Sequence, residues 1–179
     1  ILYVPYLSHP DWTVKRRSGL LTPSFGYSSR NGFDLSIPYY VATNDKTWDM
    51  TFTNHFKGKN GYANQMNFRK KYAETDIETN LFQGNLNTYK GDDDSVFAAN
   101  FNLKTSLENN WDFSMKGKYT DQDTFMKRYG FDESTEYKSI IKAEKIEKNK
   151  ISEIEISKIR NLSDNSNASI NEPTLAPNI

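Results

Sequence analysis

Cysteine is missing from this sequence altogether, which removes disulfides and cysteine-based metal sites. Histidine is scarce: His9 and His55 are the only two. His9-Pro10-Asp11 resembles a His–carboxylate pair, but it lies in a proline-rich connector with no nucleophile nearby in sequence, so no catalytic set is expected. Neither sign of charge dominates, because 23 Lys and Arg balance 23 Asp and Glu. A phosphate-binding surface needs an excess of cations, so nucleic acid is not an expected partner. No run approaches the roughly 18 apolar residues of a membrane helix. That excludes a helical span only, since membrane strands hide in alternation. A signal peptide is also lacking. The chain starts on Ile1 without a Met and ends on Leu175-Ala-Pro-Asn-Ile, and reads as an internal fragment. Asp92-Asp93-Asp94 lacks the ligand spacing of a calcium loop. Gly58 and Gly61 read as turn glycines, not a phosphate cradle. No cofactor, metal or enzymatic activity is expected.

Aromatic residues are plentiful instead, with 11 Tyr, 11 Phe and 3 Trp, in a chain whose mean hydropathy is −0.81. Disordered chains are usually poor in aromatics, so this combination points to a sheet with one apolar and one wet face. The alternation agrees. Phe33, Leu35, Ile37, Tyr39 and Val41 share a face opposite Asp34 and Ser36. Residues 47–56, 62–72, 74–82, 97–104 and 111–119 repeat the pattern, with His55 on a polar face. Short turns at Ser29–Gly32, Lys57–Gly61 and Glu108–Asn110 separate the runs. Longer polar loops are expected at Asn85–Ser95 and Thr120–Thr135. Residues 136–160 suit a charged hairpin or a solvated helix. Their isoleucines and the turn-like Lys148-Asn149-Lys150 favour the hairpin. Asn167-Ala-Ser spells a glycosylation acceptor, in an Asn/Ser-rich loop.

The expected fold class is therefore all-β, an antiparallel up-and-down meander of about nine or ten strands with no helix. A wet face on such a sheet fits a soluble slab or solenoid, or part of a transmembrane barrel with a polar lumen. Trp48, Phe56, Tyr62, Tyr72, Trp111 and Tyr119 fall at or near the ends of the runs, as in an interfacial aromatic girdle.

Pro23 and Pro38 lie in two consecutive segments that otherwise read as neighbouring strands. Proline has no N–H for the ladder, so it belongs at an edge or where pairing is weak. Two in a row suggest a sheet built to open. Lys15-Arg16-Arg17 just upstream suits either a phosphate or a salt bridge at a domain junction.

At Pro5-Tyr-Leu-Ser-His-Pro-Asp, Val14-Lys-Arg-Arg-Ser-Gly-Leu-Leu-Thr-Pro-Ser-Phe-Gly-Tyr-Ser-Ser and Ile37-Pro-Tyr-Tyr, the sequence resembles the LPS-assembly protein (LptD, OstA) family of Gram-negative outer membranes. The likeness continues through Trp48-Asp-Met-Thr-Phe-Thr and Thr124-Phe-Met-Lys-Arg-Tyr-Gly to a Pro-x-Leu-x-Pro strand at Pro173–Pro177. The resemblance implies the end of a periplasmic β-jellyroll and a junction over residues 1–21. Residues 22–179 would then be the first strands of a large outer-membrane β-barrel. It implies transport and insertion of lipopolysaccharide through a lateral opening, with Pro23 and Pro38 at the gate. The implied partners are lipopolysaccharide, membrane lipid, an LptE-like lipoprotein plug and an LptA-like periplasmic bridge protein. Trp12 stands where the family often has proline, and 136–147 is unusually charged. A soluble β-rich binding or surface-structural module is the alternative.

Overall fold

A computed structural model describes residues 16–29, 31–44, 47–87, 93–162 and 174–178. Eleven strands form one antiparallel sheet: β1 (Gly19–Leu20), β2 (Ser24–Ser28), β3 (Gly32–Ala42), β4 (Trp48–Lys57), β5 (Gly61–Tyr72), β6 (Thr75–Asn87), β7 (Asp93–Leu107), β8 (Trp111–Thr120), β9 (Glu136–Glu147), β10 (Lys150–Asn161) and β11 (Thr174–Asn178). Apart from β1 and β2, which both pair with β3, each strand pairs with its sequence neighbours. Short connections with alternating hydrophobicity give this meander directly. The ends of the path are β1 and β11. His9, Lys15, Trp12, Asp92 and the Asn167 acceptor fall outside the described residues.

The register lines up one apolar face. Tyr39, Phe52, Met66, Leu81, Ala99 and Tyr119 stand opposite one another from β3 to β8. The opposite face carries Ser36, His55, Gln65 and Asn80. Many rings of the apolar face are exposed, among them Phe33, Tyr39, Phe52, Tyr62 and Tyr119. The six expected aromatics do sit at strand ends, with Trp48 and Trp111 opening β4 and β8 and Tyr72 closing β5.

The 136–160 segment is a hairpin, β9 with β10 in register from Glu136 to Glu147. Its charges form ion pairs on both faces, with Lys145 and Glu147 paired on the face that carries Ile141. Lys142 reaches both Glu144 and Glu153, and Lys138 lies near Glu155. On the face opposite Lys142, Ile141, Ile154 and Ile156 are exposed, and Met115 pairs with Ile141, so apolar residues of this face carry on from β8. Two expectations need correction. A helix does form, α1 (Phe125–Tyr129), inside what reads as a polar loop. The loop at 85–95 is also shorter than expected, because β6 runs on to Asn87 and β7 starts at Asp93.

Open edges carry unpaired N–H and C=O groups that template further pairing. Residues 1–179 alone are therefore expected to self-associate in detergent-free buffer, as size-exclusion chromatography would register. A monodisperse, cooperatively melting monomer would count against this reading and for the soluble module.

Candidate functional site

The edge of the sheet is built around the two prolines. Gly19 pairs with Tyr40 and Leu20 with Tyr39, and the Leu21 N–H donates to the Pro38 carbonyl at 2.9 Å. From Ser24 opposite Ser36 the register has shifted by one. Thr22 and Pro23 thus share the space facing Ile37, a β-bulge. Bulges and edges are where a strand tolerates proline. Pro38 lies inside β3, and its carbonyl points to the edge strand. Residues in a hydrogen-bonded antiparallel pair exchange both bonds, so the missing N–H of Pro38 would have faced Leu21. The β3–β4 ladder loses nothing by it. Both prolines therefore lie along a single seam, the one between β1–β2 and β3.

Below the seam, the polar face carries a relay across four strands. The Ser36 hydroxyl lies 2.8 Å from His55 Nδ1, and Gln65 Oε1 lies 3.0 Å from His55 Nε2. As oriented, Nε2 donates to Gln65 and Nδ1 accepts from Ser36. Gln65 and Asn67 both donate to Asn80 Oδ1. His55 is buried, flanked by the Lys57–Asp34 ion pair. The sequence places His55 on the polar face, and the structure agrees. Among the described residues no cluster suited to a metal ion occurs.

The connection from β8 to β9 folds back over this face. Phe125, Met126 and Tyr129 of α1 are fully buried against Ala63, Phe82, Val96 and Ala98. Phe131 stacks on Tyr129 at 5.7 Å and meets the His55 ring edge-on at 4.8 Å. Gly130 closes the helix with φ 72°, a left-handed conformation natural to glycine. The Tyr129 hydroxyl faces three backbone carbonyls, Asn60 at 2.6 Å, Asn85 at 2.7 Å and Tyr62 at 3.2 Å. Burial pushes this phenol above its usual range, so it remains a donor at neutral pH. Arg160 secures the far side, donating to the Thr120 carbonyl and to Asp123.

Asp132 carries the pH dependence of this seating. Burial raises its carboxyl, but hydrogen bonds from Lys118 and Ser134 outweigh burial and hold it below its ordinary 3.8. A carboxyl depressed on folding adds stability above its unfolded pKa, and that stability is lost as pH falls through the folded value. The 121–135 connection should stay protected down to about pH 4 and loosen below it. Digestion with an acid-active protease across that range is the check. Asp132→Asn should flatten the profile, and an unchanged acid-dependent profile would contradict the assignment.

At the other end of the sheet, Asp49 is buried between two guanidiniums. Arg69 binds it at 2.9 Å and Arg16 at 3.4 Å, and Tyr40 donates to it at 3.2 Å. Of the two possibilities for the basic run, Arg16 takes the salt bridge. Asp49→Ala should release the segment before β1. Both arginines are about half exposed, so solvent screens the loss. Tryptic cleavage after Arg16 or Arg17 should rise roughly fivefold, the equivalent of about 1 kcal/mol. No change in cleavage would leave Asp49 without a role in holding this segment.

These features define an all-β protein whose single meander presents one apolar and one polar face, with an interrupted edge and a connection packed over the polar side. The family model described as "LptD protein" matches residues 1–173. The chain belongs to the LptD family. It is 30% identical over 118 residues to LPS-assembly protein LptD of Shewanella sp. (strain ANA-3), covering 62% of this chain and 14% of that protein. With the same-named protein of Legionella pneumophila (strain Lens) it shares 42% identity over 88 residues, 48% of this chain and 10% of the relative. With that of Shewanella frigidimarina it shares 30% over 128 residues, 68% and 15%. The chain thus spans about a seventh of the curated relatives it matches.

Proposed function

We propose that this chain is the N-terminal part of the wall of an outer-membrane β-barrel that inserts lipopolysaccharide into the outer leaflet without covalent chemistry. The observation that carries the proposal is the pairing of an exposed apolar exterior with a polar interior, interrupted at an edge that carries Pro23 and Pro38. An amphipathic lipid needs a polar route for its sugars and a lateral exit for its acyl chains. A barrel with an openable seam supplies both. In this reading residues 1–21 form the periplasmic junction, 22–179 the first barrel strands, and Pro23 and Pro38 the lateral gate. Pairing begins slightly earlier, at Gly19. A lipoprotein plug and a periplasmic bridge protein complete the assembly.

The many exposed rings and isoleucines of one face favour this reading over a soluble module, because large exposed apolar patches are rare on soluble monomers. The full-length protein should resist salt and carbonate extraction from outer membranes. Its depletion should strip lipopolysaccharide from the cell surface. Recovery in the soluble fraction, or unchanged surface lipopolysaccharide on depletion, would overturn the proposal.

A further inference from the structure

One row of the apolar face is not apolar. Asn54 of β4 stands opposite Asn64 of β5, which stands opposite Gln83 of β6. Asn85 follows two residues on, on the same face. All four are exposed. Among the described residues none of these side chains has a hydrogen-bonding partner. Their surroundings are hydrophobic. Phe56 and Tyr62, 5.0 Å apart, line the side nearer the Gly58–Asn60 turn. Phe52, Met66 and Leu81 line the other. A hollow of about 350 Å³ opens beside Asn54, walled by Phe33, Leu35, Ile37, Phe56 and Tyr62.

We propose that this amide row is a recognition site for the sugar headgroup of a glycolipid lying against the outside of the sheet. The inference rests on the membrane orientation given under Proposed function. An amide held against acyl chains alone forfeits its hydrogen bonds, a costly arrangement in lipid. Three amides in register on adjacent strands, spaced at about 4.8 Å, offer alternating donors and acceptors along a line. The row carries no charge. Phosphate would draw arginine or lysine, whereas neutral amides suit hydroxyls. The Phe56–Tyr62 rings provide apolar faces for the C–H side of a sugar. The layering follows the amphiphile itself, with rings and amides toward the turn end and aliphatic residues toward the middle of the sheet.

The test uses the full-length protein with its partner subunit, reconstituted with lipopolysaccharide and phosphatidylethanolamine. Retained lipid is counted by mass spectrometry after washing. Asn54→Leu, Asn64→Leu and Gln83→Leu together should lower retained lipopolysaccharide roughly tenfold or more, with phospholipid unchanged. Equal retention overturns the site, and so does parallel loss of both lipids. A photo-crosslinking p-benzoylphenylalanine in place of Asn64, used in cells, gives a second readout that does not depend on the triple variant folding. Crosslinks to lipopolysaccharide support the site. Crosslinks only to phospholipid, or to another protein, overturn it. Surface export is scored separately by depletion of the wild-type protein. Surface lipopolysaccharide that falls on depletion, together with unchanged retention by the triple variant, therefore rejects the site and leaves the proposed function standing.

Discussion

Pro23→Ala combined with Pro38→Ala in the full-length protein should, on the gate proposed above, leave the sheet folded and lower delivery of lipopolysaccharide to the cell surface. The reason is local. The Leu21 N–H already donates to the Pro38 carbonyl at 2.9 Å, so an alanine N–H at position 38 has an acceptor waiting at the Leu21 carbonyl. Alanine at 23 returns a donor to the bulge and relaxes its fixed φ. Each ladder bond regained is worth on the order of 1 kcal/mol. The one bond regained at position 38 shifts an open–closed equilibrium about fivefold toward closed. Pro38→Ala alone should therefore produce a measurable share of the defect. Surface lipopolysaccharide and sensitivity to large hydrophobic antibiotics are the readouts, at matched protein level. Normal export by the double variant would mean that the prolines only mark an edge.

The largest structural effect is expected from Gly84→Val. A Cβ at position 84 would stand 2.7 Å from Phe125 Cε2 and 3.2 Å from its Cζ, against fully buried rings with no room to retreat. Overpacking of this kind costs about 1–3 kcal/mol, enough to unseat α1 from the polar face. Cleavage at the exposed Arg128 should rise by roughly 5- to 150-fold. Gly26→Ala is the control, since nothing lies within 4 Å of a Cβ there. Adding Phe125→Ala to Gly84→Val should make the second change nearly harmless, because the clash is then gone. Equal protection of wild type and Gly84→Val would show that the connection does not depend on this contact.

The meander, the two faces and the aromatic strand ends were all legible in the sequence, because side-chain alternation is a direct consequence of the pleat. The place of the two prolines along the edge was legible because proline has few places to go in a sheet. The bulge was not, since a one-residue register shift leaves no mark on local alternation. The seated helix was missed for a different reason. Phe125, Met126, Tyr129 and Phe131 are scattered among polar residues, and their partners Ala63, Phe82, Val96 and Ala98 sit on a face expected to be wet. The available signal was joint. Small or apolar residues at polar-face positions of β5–β7 coincide with four large apolar ones in the 121–135 connection. For the Asp49 cluster the sequence offered only the basic run, which suits a salt bridge; its partner was not legible, because Arg16, Tyr40 and Arg69 meet Asp49 only through register.

The seating of α1 also has a mechanical consequence. Tyr129 and Asn60 tie together the β4–β5 turn, the end of β6, Arg128 and Asn31, so this rim behaves as one stiff body. At the other rim, connections such as Ala73–Glu74 and Lys148–Asn149 are only two residues long. A sheet clamped at one rim deforms by splaying at the other. The edge strand is arranged to match. Its five paired residues in β2 run up to the clamped rim, and only two in β1 reach the free one. There it is held by Arg16 on Asp49 and by the Ser18 hydroxyl, which accepts from the Ala42 N–H. Parting of this strand would then start at Gly19–Leu20, pivot at the Pro23 bulge and swing about Ser24–Ser28, as a door turns on its hinge. The gap would be a wedge, widest on the side where residue 16 enters the sheet.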